Sequence, residues 1–193
     1  MLTKNPPRPA GTPPERGEEM RIITLWQPWA SLIAFGVKRF ETRSWGTQYR
    51  GKLAIHAAKR PMRGEFESLS KKVKETTGKS LEYHAFRNCY WSDPFPLGRI
   101  VAICNLSNCY QMVDTSKDDP RIDVENPIYL FTKNGPLETL LGHWESGRFA
   151  WELSDVMELA EPIPYRGGQG LRRLDDHATL MSIAARLPMG GGV

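Results

Sequence analysis

The segment LWQPWASLIAFGVKRFETRSW, residues 25–45, holds three tryptophans, one acid and three Lys/Arg in 21 positions. Its periodicity changes midway. Trp29, Leu32, Ile33 and Gly36 stand at i, i+3, i+4 and i+7, the spacing of one helical face. Pro28 suits a first helical turn, where its missing N–H is no loss, and Gly36 suits a left-handed helix end. From Lys38 to Trp45 the period becomes two: Arg39, Glu41 and Arg43 share one face of a strand, Phe40 and Thr42 the other. A core helix thus runs directly into a charged strand. On this reading Trp26 and Trp29 pack inside, while Trp45, ahead of Gly46, stands at the edge of any cleft.

Outward from this segment the chain reads mostly as strands. RIITLW (21–26) is a short β-branched run, and KLAIHAA (52–58) alternates, with Leu53, Ile55 and Ala57 on one side. Phe66, Leu69 and Val73 predict a short amphipathic helix that ends near Gly78. Residues 79–97 are irregular and aromatic, and Asp93-Pro94-Phe95-Pro96 breaks any regular element. RIVAICNLSNC (99–109) is the strongest strand, DTSKDDPRIDVEN (114–126) an acidic surface loop, and FAWEL (149–153) a half-buried strand. Residues 157–165 and GGQGLRRL (167–174) suggest a further strand pair. Asp175 or Asp176 caps a closing helix with Leu180, Ile183, Ala184 and Leu187 inward. About five or six short strands with few helices make an α+β fold, built as a small barrel or a curled mixed sheet.

A chain of 193 residues is long enough for one real core. Residues 1–20, with five prolines and no aromatic, read as a disordered tail. The folded domain is expected over 21–176, and 177–193 as a closing helix with a loose Gly-rich end. No apolar run is long enough to span a membrane, and the N-terminus lacks the apolar stretch of a secretory signal. Cys89, Cys104 and Cys109 form no CxxC pair, which argues against a disulfide framework or zinc knuckle and for a reducing cytoplasm. His56, His84, His143 and His177 show no metal-ligand spacing. GGQG at 167–170 matches neither a phosphate loop nor the dinucleotide fingerprint; its glycines suit a tight turn or a close backbone approach. Neither a metal nor a cofactor is expected.

Charge is unevenly spread. Between Gly36 and Arg63 stand eight cations and one acid, a net +7 in a chain of +4, leaving −3 elsewhere. Such a block is the footprint of a phosphate-rich partner, and also of an ordinary solvated surface. Within it, Lys38 sits at the helix-to-strand corner, where it can lean over the face shared by Glu41 and Arg43. A carboxylate between cations stays ionised. The trio can grip a phosphate while its acid accepts hydrogen bonds from a base amino group or sugar hydroxyl. It can equally be a surface salt-bridge ladder worth about 0–1 kcal/mol. Trp45 and Tyr49 with Arg50 offer stacking faces, at roughly 1–3 kcal/mol per base. Lys52, Lys59 and Arg60 extend the surface as phosphate contacts.

Gly36, Lys38, Glu41 and Arg43 also spell GxKxxExR. Together with QPWAS, RSW, YRG, FAWEL and the later P-I-P and QGL, they resemble the ASCH domain (activating signal cointegrator homology), in its bacterial and phage-type branch, over about residues 21–175. The resemblance implies a PUA-like small β-barrel with flanking helices and a cleft beside the first helix, lined by the motif. RNA, another nucleic acid or a modified nucleotide is the implied ligand. One enzymatic branch deacylates N4-acetylcytidine. There a lysine matches Lys38, but a threonine nucleophile stands where this chain has Glu41, and a carboxylate does not replace an activated hydroxyl. Thr42 points to the other face, and that branch's distal glutamate has no assigned counterpart. Ribonuclease activity is the other enzymatic option, with Lys38 and Glu41 as clamp and base and His56 as the nearest second proton carrier. Where relatives carry an aromatic after GL, this chain has Arg172. Two readings stay open, a binding module and a hydrolase, with a cleft for a protein partner as a third. The protein is expected to act as a monomer.

Overall fold

The β-branched run at 21–26 and the alternating run at 52–58 pair with each other, in parallel. In the computed structural model, which describes residues 19–85, 91–112 and 136–187, β1 (Met20–Leu25) lies beside β3 (Gly51–Ala57), with Arg21 opposite Leu53 and Leu25 opposite Ala57. Parallel neighbours need a crossover. Here it is built from α1 (Trp29–Ala34) and the short edge strand β2 (Phe40–Arg43). After α2 (Glu65–Thr77) and α3 (Leu81–Ala85) come the long strand β4 (Arg99–Gln111), α4 (Pro136–Leu140), β5 (Phe149–Pro164), β6 (Leu171–Leu174) and α5 (His177–Arg186). The acidic loop, Cys89, the tail up to residue 18 and the Gly-rich end at 188–193 lie outside the described residues.

The sheet is mixed, in the order β2-β5-β4-β3-β1-β6. It has six strands and flanking helices, an α+β architecture that fits the PUA-like expectation, but hydrogen bonds do not close it into a barrel. It curls instead. Register shifts after Ile100, Ile103 and Leu106 along β4–β5 mark bulges, which bend strands and add twist. The expected break between FAWEL and residues 157–165 is absent: β5 runs unbroken for 16 residues, because bulges absorb the bend that a turn would otherwise make. Strand β3 is likewise buried on both faces rather than one, Ala54 and His56 included, because it lies inside the sheet between β4 and β1, with α1 packed on one face and α5 on the other.

One face of the sheet packs Ile23, Leu53, Ile55, Val101, Trp151 and Leu153 against Ala30, Ile33 and Ala34 of α1. The other packs Ile22, Ala54, Ile103 and Leu159 against Ile183 of α5. Asp176 caps α5 by accepting from the Thr179 N–H at 2.9 Å, a stabilising arrangement for an N-terminus. Helices α2, α3 and α4 enclose a third cluster around Leu32, Phe66, Val73 and Leu141. Helix α1 is therefore buried nearly all round, and it is this burial that fixes where residue 38 emerges.

Candidate functional site

The site begins with a buried glutamine. Gln27, the first letter of QPWAS, accepts from the Ser31 N–H at 3.1 Å and donates to Ser31 Oγ at 2.8 Å and to the Pro96 carbonyl at 3.0 Å. One side chain thus caps α1 and ties it to the loop before β4. The helix ends at Gly36 in the left-handed region (φ 71°), and the N–H groups of Val37 and Lys38 return to the Leu32 carbonyl at 2.9 and 3.0 Å. This tight exit turns Lys38 inward.

Lys38 is 1% exposed. Its ammonium donates to the Phe40 carbonyl and lies 3.8 Å from Glu41 Oε2. Burial holds its pKa below the ordinary 10.5; the carboxylates of Glu41 and Glu138 counter that, and Arg43 adds to it. Glu41 Oε1 in turn lies 3.1 Å from Arg43 Nε. This is an ion-pair contact without hydrogen-bond alignment, since that Nε has no hydrogen-bond partner among the described residues. Arg43 Nη2 reaches across to donate to the Thr24 carbonyl at 3.3 Å. That bond joins the β2 edge to the C-terminal end of β1, so a side chain bridges the gap that no backbone ladder closes.

Beneath this bridge lies a cavity of about 220 Å³ lined by Thr24, Leu25, Trp26, Trp29, Glu41 and Arg43. Trp26 was expected to pack inside, yet it is 56% exposed. Strand β1 stops at Leu25, and the guanidinium of Arg60 stacks on the Trp26 ring at 4.2 Å. Trp29, expected in the core, is half-buried and walls the cavity. Trp45 is 37% exposed but packs edge-on against Trp151 at 4.7 Å and is not part of the cavity wall. The rings that wall the cavity are thus the two expected in the core, because β1 ends before Trp26 and Trp29 is the half-buried first residue of an otherwise buried helix.

Thr42 faces away from the cavity, buried, with Oγ1 accepting from the His143 N–H at 2.9 Å. His56 donates from Nε2 to the Tyr165 carbonyl at 3.1 Å, so Nδ1, 3.2 Å from Thr24 Oγ1, is the acceptor. Thr24 Oγ1 also accepts from the Gly168 N–H at 3.1 Å. His56 thereby holds the GGQG loop against β1 rather than lining the cavity, and burial lowers its pKa. A Cβ on Gly167 would come within 2.5 Å of His56 Nδ1, the close backbone approach expected of this loop. Arg172 packs over Gly168 on the same loop.

The remaining candidates scatter. Lys59 lies along Gly98. Tyr49, Arg50 and Lys52 line a different cavity at the opposite end of β1 and β3. The basic block is therefore two surfaces rather than one track. Sequence reading missed Glu138 of α4. It is 3% exposed and accepts from the N–H groups of Arg39 and Phe40 at 2.9 and 3.1 Å, so that it anchors the start of β2 and faces Lys38. At nearly a hundred residues' separation its only signal is an acid inside a short apolar helix, PLETL.

Comparisons with known proteins bear on the family and the fold. The chain is 32% identical over 115 residues to human activating signal cointegrator 1, covering 58% of this chain and 18% of the relative. It is 31% identical over 121 residues to the mouse protein, covering 62% and 19%. The chain thus spans less than a fifth of these relatives' length. Among solved structures, an ASCH protein from Zymomonas mobilis superposes with a TM-score of 0.50 at 15% identity, over 88% of this chain and 96% of the other, a likeness of fold. The ASCH domain model matches residues 23–163, from the middle of β1 to the end of β5, and the chain belongs to the ASCH domain family.

Proposed function

We propose that this domain binds nucleic acid, RNA foremost, by admitting one unpaired base or modified nucleotide into the cavity between Trp26 and Trp29. The observation that carries this is the pairing of two tryptophan rings with the Glu41–Arg43 contact at 3.1 Å around a cavity of about 220 Å³. That volume falls below the roughly 300 Å³ at which drug-sized sites begin, which suits a single flat ring system. Rings supply stacking, Glu41 accepts from a base amino group, and Arg43 donates to a ring acceptor or phosphate. Arg60, over the exposed face of Trp26, supplies a phosphate contact at the rim. A reducing cytoplasm, in which Cys104 and Cys109 stay free, is part of the same reading.

The test is fluorescence anisotropy with short single-stranded RNAs and DNAs at several salt concentrations. Binding should fall steeply with salt, and Trp26→Ala and Arg43→Ala should each weaken it. Unchanged binding in both variants would end this reading.

The hydrolase reading has one observation of its own: Lys38 is held below its ordinary pKa beside Glu41 and Glu138, as a proton-transferring lysine would be. Glu138 is then the distal carboxylate that the amidohydrolase branch uses. Water would add to the acyl carbon of N4-acetylcytidine, the C–N bond would break, and N4 would take the proton to leave cytidine and acetate. Incubation with N4-acetylcytidine decides: cytidine formed by the wild type and not by Glu41→Gln establishes turnover, and no product removes it for that substrate.

A further inference from the structure

A cavity of about 760 Å³ lies at the N-terminal end of β1, about 16 Å along the strand from the motif cleft. Its size is that of a small-molecule site. Its wall includes Arg50, Lys52, Asn105, Ser107, Ser154 and Asp155, which β3, β4 and β5 bring together through the pairing of Lys52 with Asn105 and of Asn105 with Ser154.

The charges there are not equally satisfied. Asp155 accepts from Asn105 Nδ2 at 2.7 Å and from Ser154 Oγ at 3.1 Å. It sits at φ 50°, a left-handed conformation that a non-glycine residue keeps only when its surroundings hold it. Glu19, at the rim, is paired with Arg21 at 2.8 Å. Arg50 is anchored through Nη1 to the carbonyls of Thr47 and Tyr49 at 3.0 and 2.8 Å, which fixes its guanidinium in the wall. Lys52 differs. It is only 7% exposed, yet its ammonium has no hydrogen bond or ion pair among the described residues. Nor is that ammonium sealed: the sealed, unpartnered side-chain nitrogens among those residues belong to Arg43, His84 and Arg186. Its stem is held in the wall while the ammonium opens on the cavity, so its donors are available to an anion that enters there.

We propose that this cavity is a second, separate site that takes the phosphate of a nucleotide-sized ligand, with Lys52 as the phosphate contact and Asp155, Ser107 and Ser154 meeting its hydroxyl groups. The phosphate can belong to a free mononucleotide or to a nucleotide within a strand. The site stands apart from the motif cleft and does not depend on it.

Calorimetric titration separates these cases, using 5′-UMP, uridine and hexauridylate against wild type, Lys52→Met, Lys52→Arg and Arg43→Ala. Wild type should bind 5′-UMP about tenfold more tightly than uridine, as a charge-assisted phosphate contact requires. Lys52→Met should abolish that preference without lowering Tm, Lys52→Arg should keep it, and it should persist when Arg43→Ala disables the motif cleft. Lys52-dependent binding of hexauridylate assigns the site to strands, and dependence confined to 5′-UMP assigns it to free nucleotides. The proposal is overturned if wild type does not bind 5′-UMP, does not distinguish it from uridine, or keeps the distinction in Lys52→Met. It is also overturned if the distinction disappears in Arg43→Ala alone. RNA binding indifferent to both Trp26 and Arg43 would sink the motif-cleft reading and leave this one standing.

Discussion

Glu138 is the residue whose removal should cost most for the smallest change of shape. Glu138→Gln keeps the volume but removes the charge and one acceptor oxygen. The native carboxylate takes the N–H groups of Arg39 and Phe40, one on each oxygen. A glutamine serves only one of them and turns its own NH2 toward the other, leaving a buried donor unpaired at about 1–3 kcal/mol. It also withdraws one of the two carboxylates that favour the Lys38 ammonium, and the other is Glu41. Withdrawing a charge that acts on Lys38 without a contact ion pair adds about 2 kcal/mol, below the cost of breaking a direct buried pair, so the sum is about 4 kcal/mol. For a chain of 193 residues this corresponds to roughly 8–16 °C in Tm. The sign of the pH effect follows from Lys38. Its folded pKa lies below the unfolded 10.5, so the stability it contributes is present above 10.5 and is lost as pH falls through the folded value. The deficit of the variant should therefore shrink as pH rises toward 10.5. Thermal melts at neutral and alkaline pH check both points, with Glu145→Gln, exposed and paired with His143 at 3.0 Å, as a control expected within about 0.5 kcal/mol of wild type, a typical surface change. A Tm drop under about 2 °C for Glu138→Gln would show that the carboxylate does not hold the start of β2.

Three further outcomes are expected. Burial pushes the Glu158 carboxyl up from 4.5 to about 7, so its contribution is present below pH 4.5 and lost as pH rises through 7. Because the group is half-exposed, screening reduces this to about 1 kcal/mol, and urea titrations at pH 5 and 8 should show Glu158→Gln flattening that slope. Gly167→Ala places a Cβ within 2.5 Å of His56 Nδ1 and 2.8 Å of Thr24 Oγ1. It should cost about 1–3 kcal/mol by overpacking and weaken ligand binding through Thr24; an unchanged Tm would mean that the loop does not depend on this approach. Trp26→Ala, at an exposed ring, should shift stability by no more than about 0.5 kcal/mol while costing RNA binding roughly 1–3 kcal/mol, a split read by melts and anisotropy on the same sample.

The sequence by itself determined the local elements and the polarity of the motif strand. The change of period at residues 36–38 places α1 and β2 where they form, with Phe40 and Thr42 buried and Glu41 and Arg43 half-exposed, because alternation is a property of any strand whatever it packs against. Gly36 and Gly78 end their helices in the left-handed region, and Asp176 caps α5, since these are contacts within a few residues. Only the tertiary structure decided which aromatics face the cavity. Whether Trp26 or Trp45 is covered depends on where β1 stops and on Trp151 arriving from β5, more than a hundred residues away. It also split the basic block, because Lys52 opens β3 while Arg60 follows its far end and stacks on Trp26, and it brought Glu138 onto the start of β2. Those outcomes rest on long-range packing and on the loss of water around buried charge, neither of which leaves a periodic mark in the chain.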